Sequence, residues 1–264
     1  MRRFIAIILI SIFMVLFWII NEPIDEGVAI LEYHTVTDMP DIDSERYNVR
    51  PNDFSAQLDY LAGKGYNTIT TSEFINAKLN NLSLPSKTII LTFDDGYEDN
   101  YLNMLPILEA HNMKAVVYVI ANELGKPGYL TVEQVKDMQN RGIEIGCHTA
   151  NHRPLIGLNE DELRHEIRDA KLYLEYLGIN NIVSFSYPNG LYNDEIISEI
   201  RYNNYLTAVT GDAGLNDFST DPYLLQRINV PEPRLGILEF KLRLLKGSIF
   251  TKLGINQHHI QKND

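Results

Sequence analysis

The chain has 264 residues, 45% of them hydrophobic and 22% charged, a globular balance that excludes a disordered or low-complexity protein. Its formal net charge of −12 argues against nucleic acid as a partner. A single cysteine, Cys147, excludes an intrachain disulfide and any Cys-rich metal site, and is read as a packing residue at the end of a strand.

The N-terminus carries the first signal. Met1-Arg2-Arg3 leads into an apolar run over residues 4–20, broken only by Ser11, and Glu22, Asp25 and Glu26 follow it. At 1.5 Å per residue the run spans roughly 26 Å, enough for a bilayer core. The charge asymmetry predicts a single transmembrane helix with its N-terminus in the cytoplasm and the remaining chain outside. No small-residue cleavage site follows, so an uncleaved anchor is favoured over a cleaved signal and a secreted protein. Residues 1–27 are read as anchor or signal segment, and 28–264 as one domain.

From residue 28, strands are predicted at 28–33, 67–70, 88–93, 115–120, 143–147, 182–186, 205–210 and 225–230. Helices are predicted between them at 51–62, 72–79, 99–111, 131–140, 159–177 and 193–203, with caps expected at Asn52 or Asp53, at Ser72 and at Thr131, which heads a capping box with Gln134. Residues 240–252 alternate apolar and basic positions at helical spacing, which suits either packing on the domain or lying on a membrane surface. Alternating strands and helices imply parallel strands with right-handed crossovers. Seven or eight such units predict an α/β fold with a closed or nearly closed barrel, an open doubly wound sheet being the alternative.

Active residues of such barrels gather at the C-terminal ends of the strands, and three polar clusters stand there. Thr92-Phe93-Asp94-Asp95-Gly96 places two carboxylates at the end of an apolar strand, where one can bind a cation while the other stays free as a base. His148-Thr149-Ala150-Asn151-His152 offers two imidazoles at i and i+4, able to converge on one ion. With one Asp they make a three-ligand site with a position left open, the pattern of a catalytic zinc. Phe185-Ser186-Tyr187-Pro188-Asn189-Gly190 is a loop that can aim a backbone N–H at a ligand.

Thr-Phe-Asp-Asp-Gly followed about 50 residues later by His-Thr-x-x-His resembles the polysaccharide deacetylase family, also called the NodB-homology or carbohydrate esterase 4 family. The resemblance implies a distorted (β/α)7-type barrel. It makes Asp94 the general base and Asp95, His148 and His152 the ligands of one divalent ion, zinc first, with cobalt, nickel or magnesium as alternatives. It places an oxyanion donor in the loop at Pro188 and Asn189. Two departures stand out: the third motif lacks the family's common arginine, and the late strand lacks its common histidine. Glu32-Tyr33-His34, Tyr187-Pro188-Asn189-Gly190 and Arg227-Ile228-Asn229-Val230 resemble a subgroup, the poly-β-1,6-N-acetylglucosamine deacetylases. His34 is accordingly expected as the proton donor and Arg227 as a residue that orients Asp94. Tyr97 and Tyr187 are expected to stack on sugar rings. His111, His165, His258 and His259 are read as surface residues.

The expected partner is an N-acetylglucosamine polysaccharide, acted on by a monomer. Peptidoglycan or chitooligosaccharide is the alternative substrate, and a carbohydrate-binding barrel without activity is the alternative class. A glycosidase is disfavoured, because adjacent carboxylates in one strand do not straddle a glycosidic bond at about 5–9 Å.

Overall fold

The structure is a computed structural model that describes residues 14, 27–40 and 45–253. Apart from Met14, the expected membrane anchor lies outside the described residues, as do His258 and His259. Among the described residues no helix is long and apolar enough to cross a membrane.

Eight strands form one parallel sheet: β1 (Ala29–Tyr33), β2 (Asn67–Thr68), β3 (Thr88–Phe93), β4 (Val116–Val119), β5 (Glu144–Cys147), β6 (Ser184–Ser186), β7 (Thr207–Ala213) and β8 (Leu225–Asn229). The order β1-β8-β7-β6-β5-β4-β3 is closed by pairing of β1 with β3 from Ala29↔Ile89 to Tyr33↔Phe93. The result is a seven-stranded parallel barrel, with β2 a two-residue stub on the start of β3. The open-sheet alternative is thereby excluded.

The helices are α1 (Pro51–Gly63), α2 (Thr71–Leu79), α3 (Leu105–Ala110), α4 (Val132–Asn140), α5 (Glu160–Arg164), α6 (Ala170–Tyr176), α7 (Asp194–Tyr202) and α8 (Ile237–Leu253). Thr131 and Gln134 form the expected capping box of α4. Two other caps differ from expectation. Thr70 caps α2 in a box with Glu73, and α1 starts at Arg50 with Pro51 in its first turn and no side-chain cap. The expected helices over 99–111 and 159–177 each contain a π-turn, Asn100–Met104 and His165–Asp169. A π-turn loosens the i→i−4 ladder and frees backbone groups for other partners.

Period-2 alternation sorts the strand residues into two cores. Ala29, Leu31, Tyr33, Ile89, Leu91, Phe93, Val117 and Val119 pack outward under the helices. Val28, Ile30, Ile90, Val116, Tyr118, Val209 and Leu225 form a second cluster, which fills the barrel. The same parity continued toward the strand ends carries Glu32, Thr92, Asp94, His148, Ser186 and Arg227 to the inner side of the C-terminal mouth.

Candidate active site

The mouth opens into a cleft of about 710 Å³ whose lining includes Glu32, His34, Asp94, Asp95, His148 and His152. Asp95 has φ 74. This left-handed backbone breaks strand parity, so neighbouring carboxylates that would point apart in a strand both reach the cleft. His148 Nε2 lies 3.5 Å and His152 Nε2 3.6 Å from Asp95 Oδ1. One ligand atom from each of the three residues falls within 4.8 Å of the others.

The donor set fits a divalent ion. Asp95 Oδ1 is buried and has no hydrogen-bond partner among the described residues, a costly state for a carboxylate oxygen unless a cation takes it up. His148 Nδ1 lies 2.8 Å from the Ser186 carbonyl, which only accepts. The proton therefore sits on Nδ1 and the Nε2 lone pair faces Asp95, the usual support of a ligating histidine. Burial pushes His148 below the ordinary imidazole range, against the pull of the Asp94 charge, which favours the neutral, ligating form.

Asp94 is held differently. Arg227 Nη1 donates to its Oδ1 at 2.8 Å and Nη2 to its Oδ2 at 2.9 Å, and the Ser186 hydroxyl donates to Oδ2 at 3.0 Å. Burial pushes the Asp94 carboxyl up, but the Arg227 charge, then His148, Arg227's hydrogen bonds and His34 more than offset it, so it sits well below the usual carboxylate range. Arg227 is itself only 2% exposed. Burial opposes its charge, and Asp94 and Glu32 hold it protonated. Its Nη2 pairs with Glu32 Oε1 at 2.9 Å, and its Nε donates to the Thr210 carbonyl at 2.9 Å.

His34 stands across the cleft. A ring nitrogen lies within 4.8 Å of one oxygen each of Asp94 and Glu32, and the ring stacks on Tyr47 with centroids 4.8 Å apart. Asn100 Nδ2 donates to the His34 carbonyl at 2.9 Å and to Asp99 Oδ1, which also accepts the Val36 N–H at 3.0 Å, so the strand end that carries His34 is tied to the loop after β3. Asn189 has φ 57 and lines the cleft with Gly190. A Cβ on Gly190 would meet the Gly211 backbone nitrogen at 2.4 Å, so this loop requires glycine there.

Both tyrosines border the cleft but differ in exposure. Tyr97 lines the cleft, stacked on Tyr129 with centroids 5.2 Å apart. Burial first, then the Asp95 charge, push its hydroxyl well up. Tyr187 is fully buried. Its ring packs against Phe185 and Tyr192, and its hydroxyl donates to the Tyr223 carbonyl at 3.1 Å. The expectation that it stacks on a sugar is corrected, because its side chain, although it borders the cleft, has no exposed surface to offer a ring. His111, read as a surface residue, is half-buried, with its ring nitrogens against the Ile107 carbonyl at 2.7 Å and Asp59 at 3.1 Å. His165 is exposed, as expected. Glu32 and Ser186 hold Arg227 and Asp94, yet the sequence reading gave them no role. The available signal was a lone acid in one apolar strand and a lone arginine in another, each costly to bury without the other.

Residues 81–208 match the polysaccharide deacetylase family model. The Bacillus subtilis (strain 168) protein YxkH, named as a polysaccharide deacetylase, is 31% identical over 213 residues, 81% of this chain and 74% of its own. The chain belongs to the polysaccharide deacetylase family. A Streptococcus pyogenes deacetylase, PplD, solved in complex with acetate, superposes with a TM-score of 0.75 at 30% identity, covering 86% of this chain and 99% of that one. More distant relatives are named poly-β-1,6-N-acetyl-D-glucosamine N-deacetylase. The Staphylococcus epidermidis enzyme is 24% identical over 70% of this chain and 69% of its own. The Escherichia coli (strain K12) enzyme is 25% identical over 75% of this chain but only 36% of its own length.

Proposed function

We propose that this polysaccharide deacetylase hydrolyses the N-acetyl group of an N-acetylglucosamine polymer, poly-β-1,6-N-acetylglucosamine first, using one divalent ion, zinc first, held by Asp95, His148 and His152. The observation that carries the metal reading is the orphaned, buried Asp95 Oδ1 with two imidazole Nε2 atoms turned on it. The polymer reading is supported by the names of the distant relatives. We further propose that the domain works outside the membrane, on the anchor read from residues 4–20.

Such an ion, when bound, supplies Lewis-acid polarisation of the amide carbonyl and acidifies a water. The chain's own residues do the rest. Asp94, clamped by Arg227 and Ser186, takes a proton from the attacking water. The Asn189 backbone N–H donates to the oxygen that gains charge as the carbonyl carbon becomes tetrahedral. His34 delivers a proton to the amine nitrogen as the carbon–nitrogen bond breaks, leaving acetate and a glucosamine unit. Tyr97 and Tyr129 present an aromatic wall for a sugar ring.

The test is acetate release by the purified chain from linear β-1,6 oligomers, chitin-type oligomers and peptidoglycan, with chelator and after zinc is restored. Turnover on the β-1,6 oligomers, lost on chelation and regained with zinc, is the expected result. Preference for either other substrate would reassign the polymer. Turnover indifferent to chelator would remove the metal. His148→Ala and His152→Ala are expected to lower zinc content measured directly, and undiminished content would strip them of the ligand role.

A further inference from the structure

Helix α8 is apolar on two opposite sides. Phe240 and Leu244 are buried against the barrel, and a Cβ at Gly247 would meet Ile228 Cδ1 at 2.5 Å. The outward side repeats at three- and four-residue spacing, Leu238, Leu242, Leu245 and Ile249, with Leu235 exposed in the turn just before the helix. Leu235 is 64% exposed, Leu238 44%, Leu242 37% and Ile249 42%. Residues at this spacing share one face of a helix. A helix apolar on two sides has a second surface to cover, yet among the described residues no element covers this one.

Charge identifies what covers it. The whole chain is −12, but residues 234–253 hold five Lys or Arg and one Glu. By spacing, Lys241 and Lys246 flank the leucine stripe, the Lys241 ammonium resting 4.9 Å from the centroid of the Tyr60 ring, and Arg234 stands in the turn before the helix. The single acid, Glu239, is turned aside and pairs with Arg243 at 2.8 Å. A second copy of this helix would set cations against cations along the seam, where paired helices require opposite charges. An apolar stripe bordered by cations suits an anionic lipid surface.

Position agrees. The helix runs from the mouth, where Arg243 Nη1 reaches the Asn229 carbonyl at 3.4 Å, to Thr251, whose hydroxyl accepts the Leu215 N–H at 2.8 Å. Leu215 and Asn216 also receive the start of the described barrel. Val28 exchanges backbone hydrogen bonds with Asn216, and Gly27 packs on Leu215. The chain upstream of Gly27, which holds the apolar run 4–20, therefore joins the barrel beside the end of α8.

We infer that the outward face of α8 is a membrane-docking surface for anionic lipid, lying on the bilayer rather than crossing it. Because α8 runs along the barrel wall from mouth to base, docking lays the barrel on its side, and the cleft opens along the membrane plane. This inference is independent of the chemistry in the cleft.

The full chain carrying Leu242→Cys, labelled with an environment-sensitive fluorophore, tests it, since Cys147 is buried and leaves one reactive thiol. The protein is reconstituted into phosphatidylcholine vesicles with or without about 30% phosphatidylglycerol. A blue shift is expected in the anionic vesicles, much smaller in the neutral ones, and lost in the Arg234→Glu/Lys246→Glu background with acetate release unchanged. A label at Tyr176→Cys, on α6 between β5 and β6 across the ring, is expected to stay solvated. No shift in either vesicle, or equal shifts in both, overturns the inference. So does a full shift retained in the Arg234→Glu/Lys246→Glu background, which would make the chain's own apolar segment or a second copy the occupant.

Discussion

The coupling between Arg227 and Asp94 is the energetic centre of the site, and a double-mutant cycle measures it. Arg227→Met removes two hydrogen bonds to Asp94, at 2.8 and 2.9 Å, and the contact with Glu32 at 2.9 Å, leaving two carboxylates unpaired in the mouth. Breaking one side of a buried ion pair costs about 3–5 kcal/mol. Asp94→Asn leaves Arg227 with Glu32 and an amide oxygen, a loss of about 1.5–3 kcal/mol for weakened charge-assisted bonds. Simple addition would reach about 4.5–8 kcal/mol, as much as a marginal domain possesses. In the double variant the methionine no longer strands a charged Asp94, so the total should fall short of that sum by about 1.5–3 kcal/mol. Guanidinium unfolding of the four proteins, fitted with a common slope, gives the coupling directly. Additivity within about 0.5 kcal/mol would refute the claim that the two residues act as a unit. Acetate release should show the same non-additivity, the double variant being little slower than the worse single one.

Burial pushes Asp99 up to about 6 despite hydrogen bonds from Val36 and Asn100. The raised value favours the fold fully below the unfolded carboxylate value, and that contribution is lost as pH rises through 6. Asp99→Asn keeps an acceptor oxygen without the buried charge, so it should be more stable than the parent by up to about 2–3 kcal/mol at pH 8 and indistinguishable near pH 3. Matching unfolding curves at pH 8 would contradict this. His34→Ala should slow acetate release by roughly 10²-fold or more with zinc content unchanged, and parent rates would end its role as proton donor. Gly190→Ala forces a Cβ against the Gly211 backbone from a φ of 69, so kcat should fall roughly 10–100-fold, while unchanged turnover would show the loop tolerates displacement.

What the sequence could and could not reveal follows from the range of each signal. Strand–helix alternation is local, and it predicted every strand to within a few residues. Barrel closure depends on β1 meeting β3, a pairing that no local pattern encodes, so the open sheet stayed an alternative until the register was visible. The Asp pair and the His pair were legible because their spacing is short and their burial is costly without a cation. Arg227 was legible only as a substitute for a missing arginine, and Glu32 escaped because its partner lies almost 200 residues away. Tyr187 misled because an aromatic beside a motif reads the same whether its ring faces the cleft or the core.

Backbone conformation was the least legible feature, and it gives the site its shape. Asp95, Thr149, His152 and Asn189 all have positive φ, from 55 to 74, without being glycine. For Thr149 the branched Cβ makes this a true outlier. Each such residue costs on the order of 1–3 kcal/mol and persists only where its surroundings over-determine it. Around the histidine loop they do. The Thr149 carbonyl accepts the Ala121 N–H at 3.0 Å, and the Thr149 hydroxyl accepts the His152 N–H at 2.9 Å. The Glu166 carbonyl, inside the π-turn, accepts the Ala150 N–H at 3.1 Å, while its buried carboxylate accepts from the Asn151 backbone at 2.8 Å and side chain at 2.9 Å. A relaxed chain would let Asp95 follow strand parity and point away from Asp94, and would let His152 swing from His148. The strain is therefore what permits consecutive carboxylates to do separate work, one turned toward two imidazoles and the other gripped by an arginine.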